Sequence, residues 1–430
     1  MRVAVLGCGN VGAALVGIIQ ERSEALAVQA GARFELAGIA VTDLSAPRPA
    51  HVPHDLLTTD AAALVADPTV DVVVELMGGL EPAGSLVRAA LDSGRPVVTA
   101  NKALLASDDG VALRTLARNR GVDLLYEAAV AGAIPLVRAL RESLTGERIH
   151  RVMGIVNGTT NFILTKMTEQ GADYAEVLIE AQALGLAERD PTADVEGHDA
   201  AAKAAILAGV AFGYDVAGDA VFCEGISSVT AEDVDFARRF GYVIKLLAIV
   251  ERVGDDSLSV RVHPALVSEA HPLAGVRDAF NAVFIEGEAA GELMLYGQGA
   301  GGLPTASAVV GDLIDATRNL LAGTTAPAPD RQPARLLPAD DLETGFCINL
   351  DVVDRPGVLA EVTAAFASHG VSIRSMEQEA RSGADGTLGA RLTFVTHRSR
   401  EGDVRATLSE LEGLESLQRI GGVMRIVGAS

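Results

Sequence analysis

The chain has 430 residues, 49% of which are apolar, and a formal net charge of −22. A chain of this length and composition can bury substantial cores, so we expect a globular protein of two to three domains. The acidic excess argues against nucleic acid and anionic membranes as partners, because both attract clustered positive charge.

The apolar N-terminal segment could be a signal peptide, but its glycines have the spacing of a phosphate-binding loop. No uncharged stretch elsewhere reaches the roughly 18 residues of a membrane span. The three cysteines, Cys8, Cys223 and Cys347, are widely spaced. They predict neither a disulfide framework nor a metal cluster, and they fit a reducing cytoplasm best.

The first 130 residues alternate short apolar runs with helical segments. The runs are rich in valine, leucine and isoleucine, as in strands buried on both faces. They lie at Val3 to Leu6, Phe34 to Val41, Val70 to Leu76, Val97 to Thr99 and Val122 to Tyr126. The pattern predicts an α/β fold with a Rossmann-like, doubly wound parallel sheet over residues 1–130.

Residues 131–322 show a different pattern, which predicts a mixed α+β second domain. Its predicted strands lie at Ile149 to Val156, Val243 to Val253, Leu258 to Val262 and Val283 to Gly287, with helices between the first two. The helix predicted at its end, residues 303–322, is expected to pack back on the first domain.

A proline-rich stretch, residues 323–342, predicts an extended linker. Residues 343–430 then follow the order strand, helix, strand, strand, helix, strand, which predicts a ferredoxin-like βαββαβ domain. The turn from Asp354 to Gly357 leads into the first of these helices. It suits either a plain helix cap or a backbone that approaches a ligand.

A glycine loop follows the first predicted strand. Gly7, Gly9 and Gly12 allow a tight turn, close approach of a pyrophosphate and packing of the next helix. With a strand before it and a helix after it, the loop predicts a dinucleotide site. After the second strand, Asp43 could accept from a ribose hydroxyl while Arg48 could hold a 2′-phosphate, so the choice between NAD and NADP stays open.

Lysine is nearly absent, since only Lys102, Lys166, Lys203 and Lys245 occur among 35 basic residues. A lysine can lose its proton whereas arginine cannot, so retained lysines are candidates for chemistry. Lys203 stands four residues after Asp199, at the end of a carboxylate-rich segment. The spacing fits an ordinary helical ion pair, and it equally fits carboxylates that hold a substrate ammonium beside a proton-donating lysine.

Several segments together point to a known family. They are Val98 to Leu104, Glu127 to Pro135, Asn157 to Phe162, Gly185 to Lys203 and the C-terminal βαββαβ unit. Through them the whole chain resembles the homoserine dehydrogenases, and the C-terminal unit resembles an ACT regulatory domain. The resemblance implies NAD- or NADP-dependent interconversion of L-homoserine and L-aspartate 4-semialdehyde in threonine, methionine and isoleucine biosynthesis.

The resemblance also implies roles for individual residues. Lys203 is expected to donate the proton to the substrate carbonyl, with Lys102 as a second catalytic lysine. The residues expected to bind substrate are Glu188, Asp194 and Asp199. Those expected to contact the cofactor are Gly7, Gly9, Asn10, Val11, Gly12, Thr99, Lys102, Gly185 and Gly301. Those expected to surround a sodium or potassium ion are Glu127, Val130, Gly132 and Ile134, although a plain loop would have the same composition.

The resemblance further implies a threonine effector at the ACT domain and a homodimer or homotetramer. NADP-using members tend to carry basic residues where Thr42 and Ala46 stand, so NAD use is plausible here.

Two alternatives remain. An aspartate-semialdehyde dehydrogenase would need a nucleophilic cysteine, and none of the three cysteines has that context. A catalytically silent amino-acid sensor that binds a dinucleotide would not need the lysines and carboxylates.

Overall fold

The computed structural model describes residues 1–254, 256–382 and 388–428. Its N-terminal sheet is parallel throughout, in the order β3-β2-β1-β4-β5-β6. The strands are β1 (Arg2–Leu6), β2 (Glu35–Ala40), β3 (Leu57–Thr58), β4 (Val72–Glu75), β5 (Val97–Thr99) and β6 (Leu124–Leu125). The order reverses between β1 and β4, and in such sheets ligands bind at the carboxyl ends of the strands near that point.

Helices connect these strands, as expected for a doubly wound sheet. They are α1 (Asn10–Glu21), α2 (Ser23–Ala30), α3 (Ala61–Ala66), α4 (Ala83–Asp92), α5 (Lys102–Leu105) and α6 (Asp108–Arg120). The predicted Rossmann-like fold class is confirmed. Strands β4 and β6 are shorter than the apolar runs that predicted them, whereas β5 has the predicted bounds.

The second sheet is mixed and carries the middle of the chain. Its strands there are β7 (Ile149–Ile155), β9 (Phe222–Cys223), β10 (Tyr242–Val253), β11 (Ser257–Ser268), β12 (Phe280–Gly287) and β13 (Gly291–Gln298), while β8 (Tyr214–Asp215) lies outside it. The helices are α7 (Leu136–Arg138), α8 (Gly158–Gln170), α9 (Tyr174–Ala183), α10 (Thr192–Val195), α11 (His198–Phe212), α12 (Ala231–Arg239) and α13 (Gly302–Ala322). Strand β13 was not predicted, because it is an edge strand with mostly exposed side chains.

Helix α13 returns to the N-terminal sheet. Its Val309 and Leu313 share a buried core with Val3 and Val5 of β1 and with Leu15 of α1. The chain therefore crosses back to the first domain before the ACT region, and the start of α13 comes to lie beside the glycine loop.

The C-terminal region forms the predicted ferredoxin-like unit. It consists of β16 (Glu343–Val353), α14 (Val358–Ser368), β17 (Ile373–Ser382), β18 (Leu388–Thr396), α15 (Glu401–Glu412) and β20 (Leu417–Val427), with the short β19 (Ser399–Arg400) before α15. The four long strands lie in the order β20-β16-β18-β17. Residues 383–387 and 429–430 of the predicted domain lie outside the described residues.

The linker and the third domain are joined to the middle domain more closely than the sequence predicts. Strand β20 pairs in parallel with β11, which makes one continuous sheet. The linker contributes β14 (Gln332–Pro333), paired with β8, and β15 (Arg335–Leu336), paired with β11. The predicted extended linker is thus held by backbone hydrogen bonds. In the described part of the chain, no helix is long and apolar enough to span a membrane.

Candidate active site

The glycine loop has the geometry that a pyrophosphate requires. Gly7 has a φ of +100°, and a Cβ there would lie 2.6 Å from the carbonyl oxygen of Leu76. A Cβ at Gly12 would collide with the carbonyl oxygen of Gly7, so α1 can pack closely only with glycine. At Gly9 no atom lies within 4 Å of a Cβ, which leaves the backbone open to a ligand at the start of α1. These features fit a dinucleotide.

Helix α13 starts against the same loop. Its N-cap residue Gly301 has a φ of +118°, and a Cβ at Gly302 would lie 3.0 Å from the carbonyl oxygen of Asn10. Gly301 is thus brought close to the glycine loop, at the point where Asn10 and Val11 begin helix α1. Gly185 is exposed, and no atom lies within 4 Å of a Cβ there, so no protein contact ties it to the loop.

Arg48 lies beside the glycine loop. Its guanidinium donates to the carbonyl oxygens of Ala46 (2.9 Å) and Asp43 (2.6 Å) and also reaches the Cys8 thiol. The Asp43 carboxylate accepts from the backbone N–H and hydroxyl of Ser45 (2.8 and 2.6 Å). A positive charge therefore stands next to the loop, while Asp43 already has partners.

Thr99 is buried, and its hydroxyl already has partners. It donates to the Glu75 carboxylate (2.6 Å) and accepts from the N–H of Asn101 (3.0 Å). Glu75 also accepts from the N–H groups of Met77 and Gly78 (2.8 and 3.1 Å). The hydroxyl proton of Thr99 is therefore committed to Glu75 and is not available to a cofactor. The sequence analysis missed Glu75, although a carboxylate that ends the all-valine strand β4 is a recognisable signal for a buried polar role.

Three predicted residues meet in one buried cluster. The Lys203 ammonium donates to the Asp199 carboxylate (2.7 Å) and to the carbonyl oxygen of Val156 (2.6 Å). Lys102 at the start of α5 forms an ion pair with the other oxygen of Asp199. Lys203 and Asp199 are buried, whereas Lys102, which begins α5 just after the carboxyl end of β5, is 45% exposed. The cluster bridges the two domains.

The electrostatics of the cluster favour proton exchange at Lys203. Burial, together with the charge of Lys102, lowers the pKa of Lys203 below that of an ordinary lysine, although Asp199 opposes this. Burial opposes ionisation of Asp199, but the ammonium groups of Lys203 and Lys102 hold its pKa well below the usual range. Asp199 is therefore a fixed anion, and Lys203 is an ammonium that gives up its proton more easily than usual.

Asn157 is the residue that the sequence analysis did not assign a role. Its side-chain oxygen caps α8 by accepting from the N–H of Thr160 (2.9 Å). Its amide nitrogen donates to Asp199 (2.9 Å) and to Asp194 (2.7 Å). One side chain thus fixes both carboxylates. Its place in the Asn157 to Phe162 segment, an N-cap before a helix, was the available signal.

Glu188 has a different environment from the other predicted substrate ligands. It is exposed, and no described residue donates to its carboxylate. Its backbone carbonyl accepts from Gln182 (3.1 Å). The structure does not bring it into the Lys203 cluster, but its carboxylate is available to a ligand.

The four residues of the expected cation site lie in one loop. The Glu127 carboxylate accepts from the N–H groups of Val137 and Arg138 (2.8 Å each), so it caps α7 and is not available as a ligand. Gly132 has a φ of +54°, and no described residue donates to its carbonyl oxygen or to that of Val130. The Ile134 carbonyl accepts from Leu136 (2.8 Å). Among the described residues, no cluster of His, Cys, Asp or Glu side chains could hold a metal.

The other two lysines are structural. Lys166 pairs with Glu180 (3.0 Å), and Lys245 is buried with its ammonium on Asn161 (3.0 Å) and on the carbonyl oxygen of Val276. Burial lowers the pKa of Lys245 to about 8. Neither residue contacts the Lys203 cluster.

The fold and the site together define a class of protein. The open glycine loop and the buried lysine–carboxylate cluster both lie at the carboxyl edge of a parallel nucleotide-binding sheet. A hydride carrier held by the loop would face a group that can move a proton. The protein is therefore a nicotinamide-dinucleotide-dependent oxidoreductase.

Comparison with known proteins gives the family. Family models match the homoserine dehydrogenase NAD-binding domain at residues 7–127, homoserine dehydrogenase at residues 135–314 and the ACT domain at residues 348–416. The chain belongs to the homoserine dehydrogenase family, which confirms the resemblance seen in the sequence.

Individual relatives support the same family. The chain is 49% identical over 430 residues to a homoserine dehydrogenase of Corynebacterium glutamicum, covering 99% of this chain and 95% of that protein. It is similar to the crystal structure of a homoserine dehydrogenase from Thiobacillus denitrificans, with a TM-score of 0.91, 39% identity and coverage of 99% and 98%. It is also similar to a hyperthermophilic archaeal homoserine dehydrogenase in complex with NADPH, with a TM-score of 0.62, 30% identity and coverage of 74% and 97%.

Proposed function

We propose that this chain catalyses the reversible, dinucleotide-dependent interconversion of L-homoserine and L-aspartate 4-semialdehyde. The observation that carries the proposal is the buried contact of Lys203 with Asp199, completed by Lys102 from the nucleotide-binding domain. It supplies a proton-exchanging group at the edge of the sheet where the glycine loop binds the cofactor.

Lys203 is the proposed proton donor. When bound, the dinucleotide would supply the hydride for the aldehyde carbon. The carbonyl oxygen then becomes a hydroxyl by taking a proton from the Lys203 ammonium. In the reverse direction, neutral Lys203 accepts the hydroxyl proton as the hydride leaves. Lys203 is suited to both directions because its pKa is lowered towards the working range.

Carboxylates hold the amino group of the substrate in this proposal. Asp199 already contacts two lysines and Asn157, so its main role is to orient Lys203 and Lys102. Asp194 also accepts from Asn157, and the Glu188 carboxylate has no partner among the described residues. These two carboxylates are therefore the proposed direct partners of the substrate ammonium, since charge-assisted hydrogen bonds are stronger than neutral ones.

The cofactor is NAD or NADP, and we propose that both are accepted. The archaeal relative in complex with NADPH supports NADP use. Arg48 stands beside the glycine loop, where a 2′-phosphate would need a cation, but part of its guanidinium is engaged by backbone carbonyls. Arg48 would therefore add to NADP binding without excluding NAD.

Further properties follow from family membership. We propose a cytoplasmic homodimer or homotetramer whose ACT domain responds to threonine. We also propose that the backbone carbonyls of Glu127, Val130, Gly132 and Ile134 hold a sodium or potassium ion. Among the residues that the structure describes, none donates to the carbonyl oxygens of Val130 and Gly132, and this supports the proposal because hard cations prefer oxygen ligands.

The test is a spectrophotometric assay of homoserine oxidation with NAD and NADP in parallel, with and without potassium. Turnover with at least one dinucleotide is expected. If the chain binds a dinucleotide but shows no turnover in all of these conditions, the proposal is contradicted and a silent sensor is favoured. The thioester chemistry of an aspartate-semialdehyde dehydrogenase is disfavoured, because burial raises the pKa of each of the three free cysteines, that of Cys223 to about 11.

A further inference from the structure

Glu75 is a buried carboxylate that the proposed mechanism does not use. It is the last residue of β4 and has no exposed surface. Among the described residues it has no cationic partner, and its oxygens accept instead from the N–H groups of Met77 and Gly78 and from the Thr99 hydroxyl (2.8, 3.1 and 2.6 Å). A glutamate is rarely fully buried without a counter-charge, because desolvation of the charge is costly. This carboxylate is therefore a candidate for a functional role.

A chain of hydrogen bonds leads from Glu75 to the helix that begins with Lys102. The single proton of the Thr99 hydroxyl goes to Glu75, so the hydroxyl oxygen is left to accept from the N–H of Asn101 (3.0 Å). Asn101 is the N-cap of α5, and its side-chain oxygen accepts from the N–H of Leu104 (3.1 Å). Lys102 is the first residue of α5. The direction of the Thr99 proton thus helps to fix the point from which the Lys102 side chain extends.

The loop that follows β4 is tied to the same helix start. The Asn101 amide nitrogen donates to the carbonyl oxygen of Gly79 in this loop (2.7 Å). A Cβ at Gly7 would lie 2.6 Å from the carbonyl oxygen of Leu76, so the loop also packs against the glycine loop. Glu75 therefore stands where the glycine loop, the loop after β4 and the start of α5 meet.

Lys102 depends on this support because its own contacts are few. Its side chain is 45% exposed, and its ion pair with Asp199 joins the first domain to the middle domain. A half-exposed lysine gains little from one ion pair, since solvent screens the charge and the long side chain loses freedom. The other end of α5 is held as well, because the carbonyl oxygen of Ala106 accepts from the N–H of Gly218 in the middle domain (3.0 Å). The reach of Lys102 to Asp199 is therefore set by how α5 is held at both ends.

We propose that Glu75 is a positioning residue for the reaction. It orients the Thr99 hydroxyl and, through Asn101, holds the start of α5. Lys102 then extends from a fixed point to Asp199 in the active site. This inference rests on the proposed homoserine dehydrogenase activity and adds to it a residue that acts through Lys102.

The substitution Glu75→Gln tests the role of the carboxylate at nearly constant shape. A carboxylate accepts on both oxygens, whereas an amide accepts on its oxygen and donates from its nitrogen. The amide nitrogen would face either the Thr99 hydroxyl or the N–H groups of Met77 and Gly78. One side of the network is therefore broken in either orientation.

Asp123→Asn is the matched control. Asp123 is a buried carboxylate of the same domain, and it also accepts from one backbone N–H, that of Ala326, and from one side chain, that of Asn319 (2.7 Å each). It lies at the amino end of β6, whereas Glu75 lies at the carboxyl end of β4. Differential scanning calorimetry of both variants measures the structural cost of each substitution.

The first comparison is kcat/KM for homoserine. We expect Glu75→Gln to lower it by about tenfold or more and Asp123→Asn to change it by less than about threefold, since a misplacement of about 1 Å at the site of reaction can cost about 10²-fold. A purely structural role would lower the unfolding midpoint of Glu75→Gln and leave the kinetics of the folded enzyme unchanged.

The pH dependence of kcat separates positioning from a structural role. The charged groups that face Lys203 are Asp199 of its own helix, Asp194 of α10 and Lys102 of α5. The charge of Lys102 lowers the pKa of Lys203, so withdrawal of Lys102 in Glu75→Gln should move the midpoint of homoserine oxidation to higher pH. Loss of the Glu75 charge alone would act in the opposite direction, because removal of an anion destabilises a nearby ammonium.

Thr99→Val breaks the same chain of hydrogen bonds at its second link, and it decides the question if Glu75→Gln does not fold. Valine has nearly the shape of threonine but neither donates to Glu75 nor accepts from Asn101. We expect a loss in kcat/KM and a move of the midpoint to higher pH, as in Glu75→Gln. The move of the midpoint distinguishes this effect from the loss of a cofactor contact at Thr99.

Three results in an active chain would overturn the inference alone. They are a near-normal kcat/KM in Glu75→Gln, an equal loss in Asp123→Asn, and a midpoint that stays in place or falls in Glu75→Gln or Thr99→Val. Inactivity of the unmodified chain with both dinucleotides would instead overturn the proposed reaction, and the inference would fall with it.

Discussion

At the scale of single residues, the scarcity of lysine was the most informative property of the sequence. Two of the four lysines meet at Asp199. The contact between Lys203 and Asp199 follows from their spacing on one helix, so the sequence could predict it. The contact with Lys102 depends on how two domains pack, which local spacing does not determine.

The lowered pKa of Lys203 predicts the pH dependence of the reaction. Homoserine oxidation needs neutral Lys203, so kcat should rise with pH to a plateau whose midpoint lies below the ordinary lysine value of about 10.4. Aldehyde reduction needs the ammonium form and should fall over the same range.

Asp199→Asn removes an anion that stabilises the ammonium form of Lys203 and should move the midpoint to lower pH. A midpoint that stays in place or rises in this variant would contradict the assignment.

Arg48 allows a second prediction at this scale. Arg48→Ala should raise KM for NADP by about tenfold, because an arginine–phosphate contact is worth roughly 1.5–3 kcal/mol. KM for NAD should change by less than about threefold. Parallel initial-rate measurements with both dinucleotides provide the check, and equal changes would show that Arg48 does not distinguish them.

At the scale of secondary structure, apolar runs predicted the buried strands and failed for the exposed ones. Strands β1 and β10 were found because burial requires continuous apolar residues. Strand β13 was missed because it pairs only with β12 at the edge of the sheet and its side chains are mostly exposed. Few buried contacts therefore constrain its sequence. Helix α8 was expected, but its N-cap Asn157 also orients two carboxylates, and that link appears only in three dimensions.

Two substitutions separate the two roles of Asn157. Asn157→Ser keeps an N-cap side chain but loses the amide donor, whereas Asn157→Ala loses both. Both variants should raise KM for homoserine to a similar extent, since Asp194 and Asp199 lose the same partner. Asn157→Ala should be less stable than Asn157→Ser by about 1 kcal/mol, measured by urea unfolding. Equal stability, or an unchanged KM in both, would refute this division of roles.

At the scale of the whole molecule, the predicted three-part order is present, but the ACT domain is not a separate body joined by a loose linker. Strand β20 extends the middle sheet through β11, and Arg425 of β20 contacts Glu224 (2.6 Å) and Glu401 (2.7 Å). Pairing between strands so distant in the chain leaves no local pattern, so the sequence could not predict it.

The Arg425 contacts should contribute strongly to stability. Arg425→Met leaves Glu401, which is largely buried, without its cation, and we expect a loss of about 3 kcal/mol. The control is Arg400→Met, because the ion pair of Arg400 with Asp341 is solvent-exposed and should contribute little to stability. Differential scanning calorimetry should show a clearly lower midpoint only for Arg425→Met. Similar midpoints for the two variants would contradict the buried junction.

The central claim is that Lys203 exchanges the proton in homoserine oxidation. The most direct measurement compares kcat for this reaction in the unmodified chain, in Lys203→Met and in Lys166→Met, with dinucleotide affinity measured in parallel. Lys166 also pairs with one carboxylate but lies outside the cluster. We expect Lys203→Met to lose about 10²–10⁴-fold in kcat with its dinucleotide Kd unchanged, and Lys166→Met to remain active. Near-normal turnover in Lys203→Met would contradict the account.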